Sequence, residues 1–232
     1  MHHIQRTILG ELMKGDYRRY AQIKPKGLES NVFAYHLKVL REAGYVRRTS
    51  WGTYGLTASG KRFVDSLSLT DLRPRVQPKI VILLACHDRL GRWLLMRRKV
   101  QPLLGLVGFP YGKLHRGETV QAAAQRELLE KAGIVAELKH TGDGYITIEQ
   151  DNESVSEILF HLFSGVVPSD EPSAHHPAGD LFWSDPITNW QDPHIMPSMP
   201  DLISALEAPE GTRFWLEKSY NLSPESPSPD SA

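Results

Sequence analysis

Cysteine is nearly missing from these 232 residues: Cys86 stands alone, inside an apolar run. One thiol cannot close a disulfide within a chain, so a cross-linked framework is excluded and a reducing, cytoplasmic setting is expected. Long hydrophobic runs are missing too. The longest, IVILLAC at Ile80–Cys86, is strand-sized, far short of the ~20 apolar residues of a membrane-spanning helix. No membrane partner is therefore expected. The N-terminal stretch MHHIQRTILGELMKGDYRRY interleaves charged and apolar residues too closely for a secretory signal. No internal repeat is visible, and the formal net charge is zero.

What is present divides unevenly. Residues 1–70 carry 12 Lys+Arg against 5 Asp+Glu, leaving 15 basic and 22 acidic residues for the rest. A basic front half on an acidic back half points to a polyanion partner for the first, or to halves that attract each other. Thr70–Lys79, TDLRPRVQPK, has two prolines, two arginines and no apolar period. It reads as a boundary. The expected organisation is a first domain over 1–69, a linker over 70–78, a second domain over 79–222 and a disordered Ser/Pro/acid tail over 223–232.

In the front half, HIQRTILGELM places Ile4, Ile8 and Leu12 on one helical face, ending near Gly15. Asp16 is expected to cap a short helix over DYRRYAQI, and Ser30 to cap NVFAYHLKVLREA, which Gly44 stops. YVRRTS, a Trp51-Gly52 turn and TYGLT read as a two-stranded ribbon, with Thr57 capping a last helix. Phe33, Leu37 and Leu40 mark the buried stripe of the third helix, which leaves Asn31, Tyr35 and Lys38 roughly opposite. Asn reads adenine and Lys reaches guanine or phosphate, while Arg47 and Arg48 at the ribbon's base suit backbone phosphates. The order of elements, with YHLKVLREAGYV and LTASGKRFV, resembles the winged helix-turn-helix family over about residues 1–70. That resemblance implies double-stranded DNA as a partner and leaves a homodimer open. The alternative is a protein-binding domain whose polar face is merely solvated. His36 falls between the two faces and takes no role.

In the back half, KIVILLACH and RWLLMRRK read as strands joined by a DRLG turn. A glycine-containing loop follows, then the helix former TVQAAAQRELLEKAG. GYITIEQ, SEILFHLFSGVV and LFWSD read as strands, and MPDLISALEA as a closing helix. Strands on both sides of a loop–helix unit predict an α+β sandwich with a mixed sheet, α/β/α in layering. Within GFPYGKLHRGETVQAAAQRELLEKAGI, Glu127 and Glu130 stand three apart, so their carboxylates share a helix face. Such a face suits Mg2+ or Mn2+, which take oxygen ligands together with substrate phosphates. Gly112 and Gly117 are expected to permit loop turns, and Glu118 to favour the positive helix end.

Gly112, Glu118, Arg126-Glu127-Leu128, Glu130 and Gly133-Ile134, at these spacings and after FPYGK, resemble the Nudix box. The resemblance spans about Pro78–Ala208. It implies a ligand with a diphosphate joined to another group, commonly a nucleoside diphosphate derivative. It also implies catalytic and metal-binding roles for Glu127 and Glu130, with Arg126 holding the glutamates, and a phosphate loop of Gly112, Lys113, Gly117, Glu118 and Lys131. Lys113 is a candidate partner for Glu118, and His115 is expected to be an exposed loop residue.

Lys131 departs from that pattern, which has a further glutamate there as a metal ligand. A cation in its place removes one charge and adds its opposite. Two outcomes follow. In one, a metal binds through Glu127, Glu130 and a later acid, with Glu149, Asp151, Glu153 and Glu157 as candidates, and hydrolysis survives. In the other, Lys131 supplies part of the metal's charge and grips the diphosphate without cleavage. The first makes the chain an active Mg-dependent diphosphate hydrolase, the second a ligand-responsive transcription regulator with weak or lost hydrolysis. Trp183, Phe182 and Tyr145 are candidates to stack on a base, or simply to pack in a core.

Overall fold

The computed structural model describes residues 1–168, 172, 176–209 and 212–222; the tail expected over 223–232 lies outside them. The chain falls into two compact units, Met1–Gln77 and Pro78–Ala232.

The first unit runs α1 (His3–Leu12), α2 (Tyr20–Ile23), α3 (Ser30–Glu42), β1 (Val46–Arg48), β2 (Tyr54–Leu56) and α4 (Ala58–Asp65). Its core gathers Ile8, Leu9 and Leu12 from α1, Ile23 from α2 and Phe33, Leu37 and Leu40 from α3, with Val46, Tyr54, Val64 and Leu67. Gly44 closes α3 at φ +74° and Thr57 Oγ1 accepts from Gly60 N at 3.0 Å, the two helix signals working as their chemistry requires.

Two caps differ from expectation. The second helix starts at Tyr20, because Arg18 exchanges two backbone hydrogen bonds with Tyr54, at 2.9 and 2.8 Å, and lies extended beside β2. Gly55 admits that approach: a Cβ there would meet the Asp16 carbonyl and the Tyr17 ring. Ser30 is the first residue of α3 rather than its cap, and its Oγ accepts from Lys24 Nζ at 2.9 Å. The segment expected as a linker folds back on this unit, with Leu67 bridging to Pro74 and Leu72 against Gly10.

The second unit is an eight-stranded mixed sheet. Its strands are β3 (Lys79–His87), β4 (Trp93–Arg98), β5 (Val107–Gly108), β6 (Tyr111–Lys113), β7 (Lys139–Gln150), β8 (Glu153–Val166), β9 (Gly179–Ser184) and β10 (Phe214–Asn221). The main order is β10-β7-β8-β3-β4-β5, with β6 on β3 and β9 on β4. β3 runs parallel to β8 and β10 parallel to β7; the remaining pairs are antiparallel. Helix α5 (Val120–Ala132) packs Ala123, Ala124, Leu128 and Ala132 against Ile82, Leu84, Cys86 and Phe163 on one face. Helix α6 (Met199–Leu206) packs Met199 and Leu202 against Val81, Leu83, Ile146 and Phe160 on the other. Among the described residues no helix is long and apolar enough to cross a membrane.

Candidate functional site

Helix α5 forms because every residue of VQAAAQRELLEKA after Val120 is alanine or a good helix former without branching at Cβ, and because both ends are capped. Thr119 Oγ1 accepts from Ala122 N at 3.1 Å, and Gly133 closes the helix at φ +71°. Its buried face is not purely apolar: Glu127 and Lys131 lie in it beside Ala123, Ala124, Leu128 and Ala132. Room for the Glu127 carboxylate comes from Gly112, where any Cβ would occupy the space the carboxylate fills. Gly112 sits in strand β6, so it serves close approach rather than the loop turn anticipated for it. Gly117 is the turn residue, at φ +87°.

Arg126 organises the acids. Its Nε and Nη2 donate to the two oxygens of Glu118, at 3.0 and 2.7 Å. Nη1 donates to Glu127 Oε1 at 2.7 Å and Glu130 Oε2 at 3.1 Å, so both carboxylates converge on one nitrogen. Nη2 also reaches the Lys113 carbonyl at 3.1 Å, while His115 N donates to Glu118 Oε1 at 2.5 Å. The forked hydrogen bonds from Arg126 hold the Glu118 carboxyl down to about 2, against the desolvation that would raise it. Arg126 in turn is held above its ordinary value, first by Glu118. The expected Lys113–Glu118 pairing is not formed; Lys113 contributes its carbonyl, and its side chain is exposed.

Lys131 turns inward. Its Nζ lies 3.4 Å from Glu127 Oε2, and both side chains are only 6% exposed, whereas Glu130 is 54% exposed. The pair is therefore a desolvated ion pair, not a surface i,i+4 contact worth a few tenths of a kcal/mol. As placed, the ammonium contacts Glu127. Glu127 thus gives one oxygen to Arg126 and the other to Lys131. A hard dication does not fit this arrangement, since it would face an ammonium at the one buried carboxylate and find a single solvent-facing acid in Glu130. His176 completes the neighbourhood. Burial lowers its pKa first, the Lys131 charge lowers it further, and Glu127 and Glu130 oppose both. No spacing in the sequence marks His176, which lies 45 positions beyond Lys131.

The later acids stay apart. Glu149, Asp151, Glu153 and Glu157 belong to the β7–β8 hairpin, and none joins Glu127 and Glu130 in a group of three ligand-bearing side chains; among the described residues the one such group is His140, Asp143 and His161. Phe182 and Trp183 pack against opposite core clusters, with Arg92 5.8 Å from the Trp183 ring. Burial raises the Tyr145 hydroxyl pKa and the adjacent Glu157 raises it further.

On the first unit, Asn31, Tyr35 and Lys38 are exposed along α3, Tyr35 at 63%. Arg47 and Arg48 are exposed on β1, the former donating to Tyr17 Oη at 2.6 Å. Lys38, Arg41, Arg47 and Arg48 border one shallow depression, with Glu42 the single acid on its edge among the described residues. The sequence does not single out Arg41, because it lies off the Asn31–Tyr35–Lys38 stripe.

A family model described as NUDIX domain matches residues 76–197, more than half of the chain. Comparison with curated proteins finds no match. Similar solved structures include a MutT protein from Bacillus halodurans, 21% identical, covering 62% of this chain and 90% of that one, with a TM-score of 0.46. The NUDIX domain of Shewanella oneidensis NrtR, solved with ADP ribose, is 15% identical, covering 65% of this chain and 97% of that one, with a TM-score of 0.47. The chain belongs to the NUDIX domain family.

Proposed function

We propose that this NUDIX-family chain is a DNA-binding regulator whose second unit binds a nucleoside diphosphate derivative and has lost most or all hydrolysis. The observation that carries the reading is the buried Lys131–Glu127 ion pair. With a glutamate at 131, the cluster would hold four carboxylates against Arg126 alone, a charge that calls for a dication. With Lys131 it holds Glu118, Glu127 and Glu130 against two fixed cations, and it stands without one. The lysine does part of the metal's electrostatic work and none of its chemistry, since an ammonium neither polarises a phosphoryl oxygen as a Lewis acid nor lowers the pKa of a bound water. Phosphates then meet the exposed Lys113 ammonium beside an acidic cluster whose charge Arg126 and Lys131 largely offset.

The first unit supports the DNA half of the reading. Its helix, short helix, helix and hairpin suit a winged helix-turn-helix, with α3 as the recognition helix and β1–β2 as the wing. Asn31, Tyr35 and Lys38 supply base-reading chemistry, and Arg47, Arg48 and the newly apparent Arg41 suit phosphates. Regulation requires that the nucleotide bind the DNA-competent and DNA-incompetent states with different affinity.

A second reading, an active hydrolase, keeps one specific support: Arg126, Glu127 and Glu130 still converge as a catalytic set would. The two separate on the behaviour of duplex DNA. Fluorescence anisotropy with labelled duplex is expected to show salt-sensitive binding that changes at least about fivefold on adding ADP-ribose or another nucleoside diphosphate derivative. Absence of duplex binding, together with magnesium-dependent release of a mononucleotide, would replace the regulator with the enzyme.

A further inference from the structure

Away from the Arg126 cluster, three side chains of the sheet meet at one carboxylate oxygen. Asp143 Oδ1 lies 2.8 Å from His140 Nε2 and 2.6 Å from His161 Nδ1. Strand register explains how they meet. Asp143 and His161 are direct cross-strand partners on β7 and β8. His140 precedes Asp143 by three, which in a regular strand puts the two on opposite faces. A β-bulge between His140 and Gly142 inserts Thr141 and turns His140 to the same face. The His140 ring then lies flat on Phe163, with centroids 4.8 Å apart, and edge-on to His161 at 5.6 Å. Its orientation is fixed by packing before any ligand arrives.

We propose that His140, Asp143 and His161 form a site for a first-row transition dication of the Zn2+ class. The donor set is the reason: two neutral imidazole nitrogens and one carboxylate suit Zn2+ and its neighbours, while Mg2+ prefers an all-oxygen shell. Distances permit it. The three donor atoms all lie within 4.8 Å of one another, and a tetrahedral ion with bonds of about 2.0–2.2 Å needs donors roughly 3.3–3.5 Å apart. Opening the two His–Asp hydrogen bonds by roughly 0.5–0.9 Å brings their donors to that separation. The side chains are 15%, 30% and 23% exposed for His140, Asp143 and His161, so one face stays open for water or another ligand in the fourth position.

The site is separate from the Arg126 cluster yet shares its sheet face. His161 pairs with Ile82 and Ile82 with Gly112, against which Glu127 sits. Two strand spacings, about 10 Å, separate them. An ion here fastens β7 to β8 independently of what the Arg126 cluster binds.

The test uses the full chain, stripped with EDTA and titrated with Zn2+ by calorimetry, then with Co2+ by visible absorption. The expected result is about one Zn2+ per chain, with the intense bands of low-coordinate Co2+. Affinity should fall at least about tenfold in Asp143→Asn and in His161→Ala, and stay unchanged in a Glu127→Gln, Glu130→Gln double variant. The pale spectrum of octahedral Co2+ in the unsubstituted chain overturns the proposal without relying on any variant. So does Zn2+ binding that survives in folded Asp143→Asn, or that is lost only in the glutamate double variant.

Discussion

At the scale of single residues, Lys131 and Gly112 set the character of the cluster by what each does to Glu127. One supplies a cation 3.4 Å from its carboxylate, the other leaves the space that carboxylate occupies. Replacing Lys131 with methionine keeps the volume and strands Glu127 in a buried position with Arg126 as its remaining partner. The expected loss is about 3 kcal/mol, the usual cost of removing one member of a buried pair, read as a lower urea midpoint with unchanged slope. Glu118 gives a second expectation. Its folded pKa is about 2, below an unfolded value of about 4.3, so its contribution is complete above pH ~4.3 and is lost as pH falls toward ~2. Denaturation midpoints measured across that window should fall with acid in the parent chain and fall less in Glu118→Gln. The spacing of Gly112, Glu118, Arg126, Glu127 and Glu130 makes this cluster legible in the sequence. Spacing says nothing, however, about which way a long side chain turns, so the burial of Lys131 is not legible there. Nor is His176, whose place depends on a distant chain segment.

At the scale of elements, the helices and most strands follow from their periods and turn signals, whereas β5, β6 and β10 do not. β6 has three residues and β5 two, too few to show alternation. β10 opens on three consecutive apolar residues, Phe214–Leu216, followed by Glu217 and Lys218, so it shows no alternation, yet it pairs with β7 over eight residues; edge position relaxes the demand for apolar side chains. The second helix reads too long in the sequence because Tyr17 and Arg18 have ordinary helical character in isolation, and the competing hydrogen bonds come from Tyr54, 36 positions beyond Arg18. The β1–β2 hairpin carries its own prediction. Arg47→Ala with Arg48→Ala should weaken duplex binding and reduce the slope of log affinity against log salt by up to about 2, near 0.9 for each phosphate that is no longer neutralised. An unchanged slope would place the phosphate-binding residues elsewhere on the unit.

At the scale of the whole molecule, a chain of zero net charge holds a basic unit and an acidic one, each with its own core. The apolar runs and the Thr70–Lys79 boundary make that division readable, although residues 70–77 pack onto the first unit. The family membership fixes the kind of fold in the second unit, while its use depends on the departure at 131. The most direct measurement is calorimetric titration of the unmodified chain with ADP-ribose, in EDTA and again in magnesium, with the products examined afterwards. Binding of equal affinity in both, with the ligand recovered intact, is the result predicted by a lysine that replaces the metal's charge. Binding that appears only with magnesium, or a mononucleotide among the products, would contradict it.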